Sequence, residues 1–165
     1  MRKILVSGCL YGWLCRYDGE MLNCDDPRFL KWKEEGRLVP VCPEVFGGLP
    51  TPRPDSQRVG EKVLTGAGKD VTEPYETGAR EALRLAKEHD VLFAIMKEDS
   101  PSCGIRFIYD GTFTGTKIAG AGRASQLLME AGFRVLNETM LDEAAALLEQ
   151  AEDSRTVLHA QTETF

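Results

Sequence analysis

Short apolar runs alternate with stretches of helical periodicity along the chain. Lys3–Gly8 (KILVSG), Leu38–Val41 (LVPV), Val91–Met96 (VLFAIM) and Phe133–Leu136 (FRVL) are continuous apolar runs rather than alternating ones. That is the pattern of strands buried on both faces. Between them the period lengthens. Asp26 is placed to cap a helix that has Pro27 at its first position and Gly36 at its end. Thr72 is placed to cap a second helix with Pro74 in the first turn, and Ala79, Ala82, Leu83 and Ala86 fall on one face of it. A third helix is predicted from about Gly122 to Ala131, stopped by Gly132. A fourth starts near Thr139, with Leu141, Ala144, Ala145 and Leu148 inward.

Strand and helix in alternation predict an α/β fold: a three-layer sandwich around a mostly parallel central sheet, Rossmann-like. One catalytic domain is expected over residues 1–150, followed by a polar C-terminal tail over 151–165. Ile108–Gly115 (IYDGTFTG) reads as a short hairpin around Asp110-Gly111. Pro50–Lys69 reads as a long loop. Thr65–Asp70 (TGAGKD) lacks the spacing of a phosphate loop. Gly120–Arg123 (GAGR) reads best as a close turn into a helix rather than an anion site.

Val41–Pro54 (VCPEVFGGLPTPRP) breaks the pattern. It holds four prolines and two glycines, so neither a regular helix nor a central strand fits it. It presents one thiol and one carboxylate, Cys42 and Glu44. An extended Cys-Pro-Glu segment turns both side chains to the same side. Cys42 ends the second strand, Cys9 follows the first, and Cys103 follows the third within EDSPSCGI. In open parallel sheets the crevice beyond the carboxyl ends of the strands is the usual ligand site. Three cysteines distant in sequence are therefore expected at one sheet edge, each beside Gly or Pro.

Composition narrows the chemistry. The chain has 165 residues, the size of one domain, and a net charge of −6, which argues against phosphate-backbone binding as its main activity. No apolar run approaches the ~20 residues of a membrane span, and a cytoplasmic location is expected. Five cysteines without an export signal point to metal binding or chemistry rather than disulfides. Structural zinc usually takes four protein ligands, often from CxxC pairs, and no such pair occurs. The two histidines, His89 and His159, fall at a helix end and in the tail, both expected at the surface. A cubane iron–sulfur cluster takes one thiolate per iron, normally four, so three would leave one iron open. Cys15 is a fourth ligand, a supporting thiol or core. Without a usable histidine, acid–base work falls to carboxylates, hydroxyls or water. Glu44 lies two residues beyond Cys42, and Ser100 and Ser102 flank Pro101 just before Cys103; turn stabilisation is the plainer role for Ser102.

The stretches VSGCLYGWLCRYDG, VPVCPEVFGGLPTPR, KEDSPSCG and IYDGTFTG, in that order over Lys3–Asn137, resemble the signatures of the thiouracil desulfidases of the TudS type, formerly a bacterial domain of unknown function. The resemblance implies a [4Fe–4S] cluster held by Cys9, Cys42 and Cys103, with the sulfur of a thiolated pyrimidine bound to the open iron. It implies Glu44 and Ser100 as catalytic carboxylate and serine, and a non-redox exchange of sulfur for oxygen on water that Glu44 activates. Cys15 has a supporting role in this reading; Arg16, Tyr17, Arg53 and Ser102 are further candidates around the site. Cys24 lies outside the motifs. Asp99 stands where the family frequently has a basic residue, which alters the charge of the pocket. The competing readings are an Fe–S hydratase-like enzyme and a non-catalytic module that binds or senses a metal or cluster.

Overall fold

The apolar runs expected to be strands assemble side by side. A computed structural model describes residues 1–20, 22 and 24–162, with side chains as far as residue 154. In chain order its elements are β1 (Ile4–Ser7), α1 (Gly8–Tyr11), α2 (Pro27–Glu34), β2 (Leu38–Val41), α3 (Pro43–Phe46), β3 (Ser56–Val59), β4 (Lys62–Thr65) and α4 (Thr72–Glu88). They continue with β5 (Phe93–Met96), β6 (Phe107–Tyr109), β7 (Lys117–Ala119), α5 (Arg123–Glu130), β8 (Val135–Asn137) and α6 (Leu141–Thr162). The main sheet has the order β2-β1-β5-β8 and is parallel throughout.

Side-chain alternation along β1 divides the core. Ile4 and Val6 point to one face, where Phe29 and Trp32 of α2 and Leu141, Ala144 and Leu148 of α6 cover them. Leu5 points to the other, against Ala79, Ala82 and Ala86 of α4 and Ala124 and Leu128 of α5. Helices on both faces of a parallel sheet make the three-layer α/β sandwich predicted from the sequence. No helix among the described residues is long and apolar enough to cross a membrane.

Several boundaries follow their local signals. The Asp26 side chain accepts from the Arg28 amide at 2.9 Å and caps α2, with Pro27 at the first position. Gly132, at φ +93°, follows α5. Exposed His89 ends α4, while the side chain of His159 lies outside the described residues. Other expectations fail for identifiable reasons. Val71, not Thr72, is the N-cap of α4; the Thr72 hydroxyl instead accepts from the Val63 amide at 3.0 Å. The stretch read as a long loop contains the antiparallel β3–β4 hairpin, turned at Gly60 with φ +62°. The β6–β7 hairpin is present, but a longer connection than a tight Asp-Gly turn joins its strands. Helix α6 runs through the segment read as a polar tail as far as Thr162; residues 163–165 lie outside the described ones.

The segment after β2 departs most from expectation. It is not extended beyond Cys42: Pro43 at the first position starts one helical turn, with Cys42 as its extended N-cap. That turn lies against α4 with main chain touching main chain. A Cβ on Gly78 would stand 1.7 Å from the Pro43 carbonyl oxygen, and one on Gly47 would stand 1.9 Å from that of Pro74. At an open helical site, Gly→Ala gains up to about 1 kcal/mol of helix propensity. Gly78→Ala should reverse that sign, costing about 1–3 kcal/mol as α3 and α4 are forced apart. Thermal unfolding should show a fall of roughly 2–4 °C per kcal/mol; an unchanged or raised midpoint would contradict the contact.

Candidate active site

Three of the four parallel strands, β1, β2 and β5, deliver a cysteine-bearing segment to the carboxyl edge of the sheet. Cys9 lies in α1 directly after β1, Cys42 caps α3 after β2, and Cys103 lies in the turn after β5. All three line one cavity of about 480 Å³, together with Cys15 from the loop after α1. Cys24 is half-buried and stands apart from this cavity. All five cysteines are free. Burial raises the Cys9 thiol to about 11, with Cys42 adding to the effect, and pushes Cys103 up to about 12. Hydrogen bonding from Cys15 draws Cys42 down; the same contact, with burial, pushes Cys15 up. Among the described residues no three His, Cys, Asp or Glu side chains converge as they must to hold a single metal ion.

The Cys103 turn is fixed through its backbone. The first amides of α5 bond to its carbonyls: Arg123 to Pro101 at 2.9 Å and Ala124 to Ser102 at 2.9 Å. The Ser125 hydroxyl donates to the Cys103 carbonyl at 2.6 Å. Gly122 allows this approach, since a Cβ there would stand 2.4 Å from the Ser102 carbonyl carbon. The GAGR segment is thus a helix–loop junction, as read, and protein carbonyls satisfy its amides.

Glu44 lines the same cavity, and three segments converge on its carboxylate. Tyr75 on α4 donates its hydroxyl to Oε1 at 2.7 Å, Arg53 donates Nε to Oε1 at 3.2 Å, and Ser102 donates its hydroxyl to Oε2 at 2.9 Å. Ser102, rather than Ser100, therefore meets Glu44 directly. Ser100 Oγ lies 3.0 Å from Ser102 Oγ and accepts from the amides of Ser102 and Cys103 at 3.2 and 3.1 Å. The turn-stabilising role expected of Ser102 falls to Ser100, while both hydroxyls line the cavity.

Arg53 is no solvated loop charge. It is buried, and besides Glu44 it donates to the carbonyls of Cys15 at 2.8 Å and Pro50 at 3.2 Å. Arg16 and Tyr17 line the outer part of the cavity, where Tyr17 is exposed and Arg16 sits over its ring. Asp99 also lines it, paired with Lys117 at 2.9 Å.

Sequence reasoning missed four residues here. Tyr75 looks like one more apolar position of α4, and only the fold shows where its hydroxyl lands. Gln57 and Asp55 belong to the stretch read as a loop, although the Gly60 turn between two strand-length runs was a usable signal. Glu98, inside the KEDSPSCG motif, also lines the cavity. Its Oε1 accepts from the amides of Ile105, Arg106 and Phe107 at 2.9, 3.0 and 3.2 Å, and its Oε2 accepts from Asn137 Nδ2 at 2.5 Å.

A parallel α/β sheet with a thiol-and-carboxylate cavity at its carboxyl edge defines a small-molecule enzyme of the doubly wound class. The chain belongs to the 2-thiouracil desulfurase family, whose profile matches residues 4–140. It is 43% identical over 150 residues to the uncharacterized protein YbbK of Bacillus subtilis (strain 168), a match covering 85% of this chain and 98% of the relative. It also superimposes on the solved structure of the [4Fe–4S]-dependent thiouracil desulfidase TudS, with a TM-score of 0.89 and 44% identity, covering 91% of this chain and 99% of that one.

Glu98 gives this region a pH signature. Burial opposes its ionisation, but the three amides and Asn137 outweigh burial and hold its carboxyl below the usual range. A depressed folded-state value means that its stabilisation is present above the unfolded-state value and is lost as pH falls through the folded-state one. Glu98→Gln should therefore lose stability at neutral pH and flatten the acid limb of a stability–pH curve measured by urea unfolding. A variant curve parallel to the wild type would refute this role.

Proposed function

We propose that this chain is a [4Fe–4S]-dependent desulfidase that converts 2-thiouracil, or a related thiolated pyrimidine, to uracil and sulfide by hydrolysis. One observation carries the reading: Glu44, bonded on both oxygens, lines the same cavity as Cys9, Cys42 and Cys103. Family membership and the likeness to TudS support it.

The donor set suits the cluster. A single zinc needs its ligands gathered tetrahedrally about one point. A cubane gives each thiolate its own iron, so the thiols stand around the group rather than on one ion. Cys9, Cys42 and Cys103 are the residues that would hold it; Cys15, whose carbonyl Arg53 engages, supports them. When bound, such a cluster supplies one iron without a protein thiolate, a Lewis acid suited to a soft thiocarbonyl sulfur.

The chain's own residues handle water and protons. An ionised carboxylate offers about four acceptor sites. Tyr75, Arg53 and Ser102 occupy three of Glu44's, which orients the group and leaves a site to take a proton from water. The water oxygen bonds to the thiocarbonyl carbon, and the C–S bond breaks with its electron pair going to sulfur. Both protons of the water are then available to the departing sulfide, so C=S and H₂O become C=O and H₂S with no electron carrier. The Ser102–Ser100 hydroxyl pair extends from Glu44 as a path for the proton.

Anaerobically purified protein should contain about four irons per chain with matching acid-labile sulfide; stoichiometric zinc without labile sulfide would overturn the reading. Cys42→Ala should abolish the visible absorption of the cluster. Glu44→Gln should keep that absorption and lose roughly 10²–10⁴-fold in kcat on 2-thiouracil; an undiminished rate would remove Glu44 as the base.

A further inference from the structure

Gln57 on β3 is 5% exposed and lines the cavity. Its side-chain amide is pinned by one end. Oε1 accepts from the backbone amides of Gly111 at 2.9 Å and Phe113 at 3.3 Å. Both of those groups are donors only, so the oxygen of the side chain must face them and the nitrogen must face away. Nε2 donates to no group among the described residues. That nitrogen is not sealed from solvent, so it is free to donate to an acceptor that enters the cavity. The same oxygen steadies Phe113, which holds a positive φ of 57° unusual for an aromatic residue and is itself a lining residue of the cavity. Donor and aromatic lining residue are thus set by one side chain.

We propose that Gln57 is a specificity-determining residue whose Nε2 donates to a ring carbonyl oxygen of the substrate. This rests on the desulfidase reading and deepens it. With the thiocarbonyl carbon at Glu44, the remaining acceptor of 2-thiouracil is the carbonyl at C4, across N3. A cavity that spends a buried amide on that oxygen selects 4-oxo-pyrimidine-2-thiones over the same ring without it. The selection lies in binding, because the carbonyl is not the reacting group.

The test uses the cluster-loaded protein and two product-like ligands, uracil and pyrimidin-2-one, which lacks the C4 oxygen. Gln57→Glu keeps an oxygen for Gly111 and Phe113 but replaces the donor with an acceptor. By calorimetry, uracil should bind the variant roughly 10- to 100-fold more weakly than it binds the wild type, while pyrimidin-2-one should change less than about twofold. Turnover should show a matching rise in KM for 2-thiouracil, with kcat and the visible spectrum of the cluster little changed. Equal losses for both ligands, or no loss for uracil, would overturn the proposal. If Gln57→Glu does not fold, the wild-type protein alone decides: it should prefer uracil to pyrimidin-2-one by about tenfold or more, and equal affinities would overturn the assignment. Selective uracil binding without thiouracil turnover would sink the desulfidase reading and leave this one standing; turnover without C4 selectivity would do the reverse.

Discussion

Glu44 sets the constraint on which the rest of the site depends. A carboxylate drawn mostly out of water is tolerable only where donors replace its hydration. Here the donors come from three separate parts of the chain: Arg53 from the proline-rich loop, Tyr75 from α4, and Ser102 from the Cys103 turn. Satisfying one anion therefore ties together the segments that carry Cys42 and Cys103. Arg53 adds the Cys15 carbonyl to the same network. Placement of the thiols and charge compensation of the acid are one structural problem with one solution.

Backbone polar groups obey the same accounting on the far side of the cavity. The Cys103 turn and the strand that follows it offer carbonyls and amides that no sheet satisfies. Helix α5 takes the carbonyls with its first amides, and Glu98 takes the amides with one carboxylate oxygen. Each device has a cost, since a helix N-terminus and a half-buried carboxylate are both wasteful unless fully paired. In return the turn has little freedom to move Cys103 relative to β5.

Much of this was legible in the sequence. The four apolar runs named the strands of the main sheet, because a strand covered on both faces has no polar side to disguise it. The cysteines at their ends, with Glu44 and the two serines, marked the cavity that the fold builds. What escaped depended on distance rather than pattern. The β3–β4 hairpin is short, polar and only partly covered, so its alternation was weak. Tyr75 and Gln57 matter through single polar atoms whose targets lie on other elements. The turn at Pro43–Phe46 escaped because four prolines read as extended chain, although proline at a first helical position is equally at home.

The bare contact between α3 and α4 has one more consequence. Gly47 and Gly78 place these helices by main chain, so the separation between Glu44 and Tyr75 does not hinge on how bulky side chains interlock. The outward positions of α4 (Thr77, Arg80, Arg84 and Lys87) are exposed and take no part in that contact. Mutational drift on that surface is insulated from the chemistry beneath it. Relatives can differ freely along the outer stripe of α4 while the two glycine positions admit almost no change.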